Sequence, residues 1–217
     1  MSTTSRKERE KERNREQILT AADEVFRRKG YQGTTMEQVA DEAEFSKGTL
    51  YLYFGSKFAL FAELSNRVLS KVLAEFKNIS QQPLQGREMI VAMLRQWVAE
   101  ASANIGRFRL AISWIASEER PESNCPSVCA HRETVALIIA ELAGAIVRGQ
   151  RDGSIGYQGK SIPLGCQLWS GMIGALLFSS RIDELTEYFP LPLASDGFMD
   201  GFVDLLSAGL ASQVEAK

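Results

Sequence analysis

At 217 residues, 45% of them hydrophobic and 24% charged, the chain has the length and material for a buried core, which excludes wholesale disorder, a collagen-like repeat and a disulfide scaffold. A formal net charge of -2 excludes a polycation that binds nucleic acid indiscriminately, so any nucleic-acid surface has to be local. Three cysteines, an odd number with no secretory signal ahead of them, point to a reducing, cytoplasmic setting.

The elements read as helices throughout, so the expected fold is all-α. The arm from Arg6 to Arg15 carries six cations against three glutamates and reads as a solvated extension or lead. Ile18, Leu19, Ala22, Val25 and Phe26 then form one apolar stripe, and Arg27-Arg28-Lys29-Gly30 ends it with cations at the negative end of the helix dipole and a glycine beyond. A short second helix is capped by Thr34 or Thr35 with Glu37 or Gln38 as capping-box partner, its inner face Met36, Val39, Ala40 and Ala43. Ser46 offers the next cap, Lys47 to Phe54 a third helix, and Gly55-Ser56 the start of a fourth. In that long helix Phe58, Phe61, Leu64, Val68, Val72 and Phe76 repeat at three or four residues, to about Ser80. Further helical periods cover 87–103, 106–118, 128–151, 162–181 and 195–213. The most apolar stretch, Ile162 to Phe178, is broken by Pro163, Gln167, Ser170 and three glycines; it reads as a buried helix, and no membrane partner is expected.

Two short helices joined by Glu44-Phe45-Ser46, with small Ala40 inside the first, match a helix-turn-helix. Leu50 and Phe54 face inward, leaving Lys47, Gly48, Thr49, Tyr51 and Tyr53 toward solvent. A DNA major groove about 12 Å wide accepts such a helix. Lys47 and Tyr53 can hydrogen-bond phosphates, Thr49 and Tyr51 can offer a hydroxyl, methyl or ring to base edges, and Gly48 permits close backbone approach.

The run from Gly30 to Ala40, Gly-Tyr-Gln-Gly-Thr-Thr-Met-Glu-Gln-Val-Ala, and that from Phe45 to Lys57, Phe-Ser-Lys-Gly-Thr-Leu-Tyr-Leu-Tyr-Phe-Gly-Ser-Lys, resemble the TetR family of bacterial repressors. Gly149 to Ile155 also resembles the turn that closes a long helix in that family. The resemblance implies an N-terminal arm and three-helix DNA-binding domain over 1–57 and a larger helical ligand-binding and dimerisation domain over 58–217. It also implies DNA contacts by Thr35, Ser46, Lys47, Gly48, Thr49, Tyr51, Tyr53 and Lys57. Of these, Thr35, Tyr53 and Lys57 would hold phosphates, where helix N-termini favour an anion at Thr35 and Lys57. Lys47, Thr49 and Tyr51 would face bases. The family usually has glycine where Glu44 stands, a turn position tending toward positive φ, and a glutamate beside the groove also repels phosphate. Phe58 stands where a glutamate is common.

Beyond Asn78 the chain carries more apolar material than a DNA-binding module needs. The glycine-rich and apolar faces of the last two helices, Gly171, Gly174, Ala175 and Leu176 in one and Phe198, Phe202, Leu205, Leu206 and Leu210 in the other, allow close helix packing, and the family resemblance implies that this pair forms the interface of a homodimer. Trp97, Phe108, Trp114, His131, Trp169 and Met172 are the candidate lining of a pocket for a small apolar or aromatic effector, with Arg109, Ser113, Gln167 and Ser170 as further polar groups. The function that the resemblance implies is a dimeric repressor, bound to a palindromic duplex operator and released by that ligand. With one histidine, no nucleophile elbow and no phosphate-cradling loop, an enzyme, a cofactor and a metal site are not expected. Cys125 and Cys129 flank Pro126 in an expected loop and lack a fourth ligand beside His131. The rival is a helical dimer that acts through protein partners with a vestigial DNA module, kept open by Glu44.

Overall fold

In a computed structural model of the chain, residues 6–106, 108, 125–188 and 196–211 are described. The elements are α1 (Arg6–Lys29), α2 (Met36–Glu42), α3 (Lys47–Tyr53), α4 (Lys57–Ser80), α5 (Gly86–Ala103), α6 (Pro126–Asp152), α7 (Ser161–Ser179), α8 (Ile182–Tyr188) and α9 (Phe198–Leu210). Among the described residues the only β pairing is an isolated antiparallel bridge between Ile155 and Ala211, so the all-α expectation holds.

The residues fall into two compact units. One comprises Met1–Val68 and Gly106–Glu133, the other Leu69–Ile105 and Thr134–Lys217. In the first unit the stripe of α1 is buried at every position named above, and it meets α2, Leu50, Phe54 and the first turns of α4 in one core. Tyr31 sits at its centre, stacked on Phe26 at 5.9 Å and edge-on to Phe61 at 5.4 Å. Polar clamps fix α1 around this core. Arg15 donates to Glu63 at 2.9 Å and lies 4.4 Å from the Phe54 ring, Arg67 pairs with Glu16, and Arg28 pairs with Glu42. The arm is helical from Arg6 onward and exposed through Arg13.

In the second unit α5 meets the end of α6 at very short range. A Cβ on Gly86 would lie 2.0 Å from the Gly149 nitrogen, so only glycine permits the approach. Asp152 completes this corner by accepting from the Gly86 amide at 2.8 Å and the Ser154 amide at 2.9 Å; a hydrogen bond from the Ser154 hydroxyl first, and then these two amides, hold its carboxyl below the usual range. The resembling turn at Gly149–Ile155 is thus a working element, with the Ile155 amide donating to the Gly149 carbonyl at 3.0 Å. On α9, Met199, Val203 and Leu210 face inward toward α5 and α7.

Two expectations are corrected. Cys129 lies in a helix and not in a loop: α6 begins at Pro126, because a proline in the first turn sacrifices no helical hydrogen bond, and the Cys129 amide donates to the Cys125 carbonyl at 2.9 Å. Finally, α7 is not a buried helix. It is 19 residues long and apolar enough by length and composition to cross a membrane, yet only 22% of its most apolar 18-residue stretch is buried within the chain. Leu164, Leu168, Met172 and Leu176 face inward, while Ile162, Leu177 and Phe178 are exposed.

Candidate nucleic-acid interface

The site is built from its caps. Thr35 is the N-cap of α2 in a reciprocal capping box: its hydroxyl accepts from the Gln38 amide at 3.3 Å, and the Gln38 side chain accepts from the Thr35 amide at 3.2 Å. Thr34, the other candidate, is buried instead and donates to the Gly30 carbonyl at 2.7 Å. The C-terminus of α2 closes with the Phe45 amide on the Ala40 carbonyl at 2.9 Å and the Glu44 amide on Asp41 at 3.2 Å. This is a Schellman pair, and it requires a left-handed residue at Glu44. Glu44 takes φ 59, the one non-glycine positive φ among the described residues. Gln17 reaches across from α1 and donates to the Ala43 carbonyl at 2.9 Å, which ties the turn to the core.

Ser46 then caps α3, accepting from the Thr49 amide at 3.0 Å and sharing a hydrogen bond with the Thr49 hydroxyl at 2.8 Å. Leu50 and Phe54 are buried as expected, which turns the opposite side of α3 outward: Lys47 and Gly48 are exposed, and Tyr51 is 44% exposed. Lys47 pairs with Glu37 of α2, so the lysine is held further above its ordinary pKa and the glutamate below its own, each chiefly through their mutual hydrogen bond. Tyr53 departs from the expectation of an outward ring. It is half-buried against the core, and its hydroxyl accepts from Asn14 at 3.2 Å because Leu50 and Phe54 turn that side of α3 toward α1. Lys57 opens α4 next to the Ser56 cap, its ammonium 4.4 Å from the Tyr31 ring centre. Sequence reasoning missed Leu52, which is 87% exposed in the middle of the outward face. The available signal was its place two residues from buried Leu50, about half a helical turn around the axis.

The candidate pocket residues separate. Trp97 and Trp169 meet edge-on at 5.8 Å in the second unit, where Met172 is also buried. Phe108 and His131 belong to the first, where the His131 ring meets Phe61 at 6.2 Å. Burial lowers the His131 pKa, and its Nδ1 has no hydrogen-bond partner. Gln167 and Ser170 are exposed. Trp114, Arg109 and Ser113 lie outside the described residues. An open cleft of about 620 Å³ in the second unit is lined by others, among them Leu84, Val147, Arg148 and Arg151.

Residues 18–64, which hold this geometry, match the profile of bacterial regulatory proteins of the tetR family. The chain is 44% identical over 54 residues to the uncharacterized HTH-type transcriptional regulator YfiR of Bacillus subtilis, covering 25% of this chain and 26% of that one. It is 28% identical over 142 residues to the HTH-type transcriptional regulator UidR of Escherichia coli K12, covering 65% and 68%. The match spans only about a quarter of the length of YfiR and 21% of YuxN, a further Bacillus subtilis regulator. Among solved structures, FadR of Bacillus subtilis in complex with stearoyl-CoA superposes with a TM-score of 0.65 at 16% identity, over 90% of this chain and 98% of that one. A tetR-family regulatory protein from Rhodococcus RHA1 gives 0.68 at 17%, over 96% and 99%. Identities this low show the shared fold.

Proposed function

We propose that this chain, which residues 18–64 make a member of the TetR family of bacterial helix-turn-helix transcriptional regulators, is a homodimeric repressor that binds a palindromic duplex operator and leaves it when a small apolar or aromatic ligand binds the larger part. The observation that carries the DNA reading is α3 itself. It is a Ser46-capped helix whose apolar side is locked in the core by Leu50 and Phe54 while Lys47, Gly48 and Tyr51 stand outward. In the proposed complex Lys47, Gly48, Thr49 and Tyr51 meet base edges, and Thr35, Ser46, Tyr53 and Lys57 sit on phosphates, with the Tyr53 hydroxyl free to donate because it accepts from Asn14. Binding would exchange the Lys47–Glu37 pair for a contact to DNA.

The dimer reading rests on the outward sides of α7 and α9. Phe178 packs on Phe198 at 5.6 Å and Phe202 lies over Gly171, so the two helices stand side by side with Ile162, Leu177 and Leu205 left exposed. A second copy that brings the same pair would cover these side chains and make a four-helix interface. Residues 1–57 are proposed as the DNA-binding part and 58–217 as the ligand-binding and dimerisation part. The stearoyl-CoA of FadR is compatible with an apolar effector in this fold. The test is an electrophoretic shift with DNA flanking the protein's own gene: a discrete, competitor-resistant complex with the stoichiometry of two chains is expected, and binding no stronger than to scrambled duplex would overturn the reading.

A further inference from the structure

We infer that Leu52 is a thymine reader: with Gly48 it forms the ridge of α3 that enters the major groove most deeply, and its side chain packs on a thymine methyl in each half-site. The inference rests on the DNA-binding reading above and adds a base preference to it. Two independent observations carry it. The first is the exposure of Leu52, 87%, which no other described large apolar side chain exceeds. Such a side chain in the last turn of a seven-residue helix contributes nothing to this chain's own core, and it points away from Leu50, the one fully buried residue of α3.

The second is Gly48, one helical turn before Leu52 and therefore on the same stripe. Glycine weakens a helix interior, yet nothing in the fold asks for it here. Its backbone φ lies outside the left-handed region, and a Cβ built on it would meet only the Ser46 hydroxyl, at an ordinary 3.8 Å. The missing side chain is thus explained by an outside surface that comes close to the backbone of α3. That surface meets bare backbone at Gly48 and an apolar knob one turn later. Of the base edges in a major groove, only thymine carries an apolar group there, the C5 methyl. Polar neighbours flank this ridge, Lys47 and the Tyr51 hydroxyl on one side and the Thr49 hydroxyl on the other, and suit the donors and acceptors of adjacent bases.

The experiment uses the full-length protein and duplexes that it enriches from a random-sequence pool. Each thymine of the enriched half-site is replaced in turn by deoxyuridine, which removes the methyl and nothing else, and binding is compared for wild type and Leu52→Ala. At one thymine per half-site the wild type is expected to lose about fourfold per half-site, the transfer value of one buried methyl group, while Leu52→Ala loses nothing further. Equal losses in both proteins at every thymine would overturn the inference and leave the DNA-binding reading standing; failure to enrich any duplex would overturn both. Gly48→Ala supplies an independent arm. It is expected to raise the thermal midpoint, as a better helix former, and at the same time to weaken binding to the enriched duplex several-fold. Affinity that is unchanged or rises with stability would remove the close approach at Gly48 and with it the ridge.

Discussion

At the scale of single residues, two side chains sit against their own preferences. Glu44 occupies a left-handed conformation that costs a residue with a Cβ about 1 kcal/mol, and it does so because the Schellman closure of α2 leaves no alternative. Glu44→Gly is therefore expected to gain about 1 kcal/mol, read as a rise in urea midpoint at unchanged slope. The same substitution removes a carboxylate beside α3, so duplex affinity should rise as well, and more at low salt than at high. His131 presents the other conflict: burial disfavours its charged form, and its folded pKa lies below the unfolded one near 6.5. Above that value both states are neutral and nothing is lost; as pH falls through it the unfolded chain takes up the proton first, and stability declines until the folded pKa is passed. Wild type should lose more urea midpoint between pH 7.5 and 5.5 than His131→Gln does. Equal losses would show that the burial is not felt.

At the scale of elements, the caps decide whether helices of seven residues exist, since neither α2 nor α3 is long enough to form alone. Ser46→Ala removes the acceptor for the Thr49 amide and should cost about 1 kcal/mol. Lys57 tests the phosphate face at the start of α4. Lys57→Ala should weaken binding to all sequences alike and flatten the log–log salt dependence by about 2 for a dimer, one unit per lost phosphate contact; equal slopes would remove the phosphate role. Periodicity made the stripes of α1 and α4 legible, because one continuous apolar face determines which side of a long helix is inward, and every residue named for those stripes is buried. Resemblance marked position 44 as a turn that needs positive φ. Less was legible where one residue type has two uses. Pro126 reads as a breaker but starts α6, a role set by where the chain arrives and not by the proline itself. The ring of Tyr53 lies against the core where an outward ring was expected, and Leu52, given no side in the sequence reading, stands outside, since an apolar-in rule cannot tell an aromatic with a polar tip from a leucine kept outside. Composition likewise could not show that α7 has two apolar faces, of which one chain covers only one.

At the scale of the molecule, that uncovered face and the ligand lead to the remaining expectations. Leu205 is 66% exposed, so Leu205→Lys should leave helicity intact while sedimentation shifts from dimer to monomer. A wild type that sediments as a monomer would refute the proposed interface. Operator affinity should fall with the variant, because a palindrome rewards two recognition helices held at one spacing, and separate chains lose that gain. Ligand control requires more than a ligand that binds. A compound shifts the DNA-binding equilibrium only by its differential affinity for the DNA-competent and incompetent arrangements, and the coupling is reciprocal by thermodynamic necessity. Compounds that raise the melting temperature of the free protein should therefore bind operator-loaded protein more weakly, by the same factor by which they weaken operator binding. That factor is on the order of 5–150 for a coupling of 1–3 kcal/mol. Titrating a stabilising compound with and without operator, and operator with and without the compound, gives the two factors independently. Compounds that stabilise the protein while both factors equal one would make the larger part a binding domain without control over DNA, whereas two equal factors above one would establish the effector site whatever residues line it.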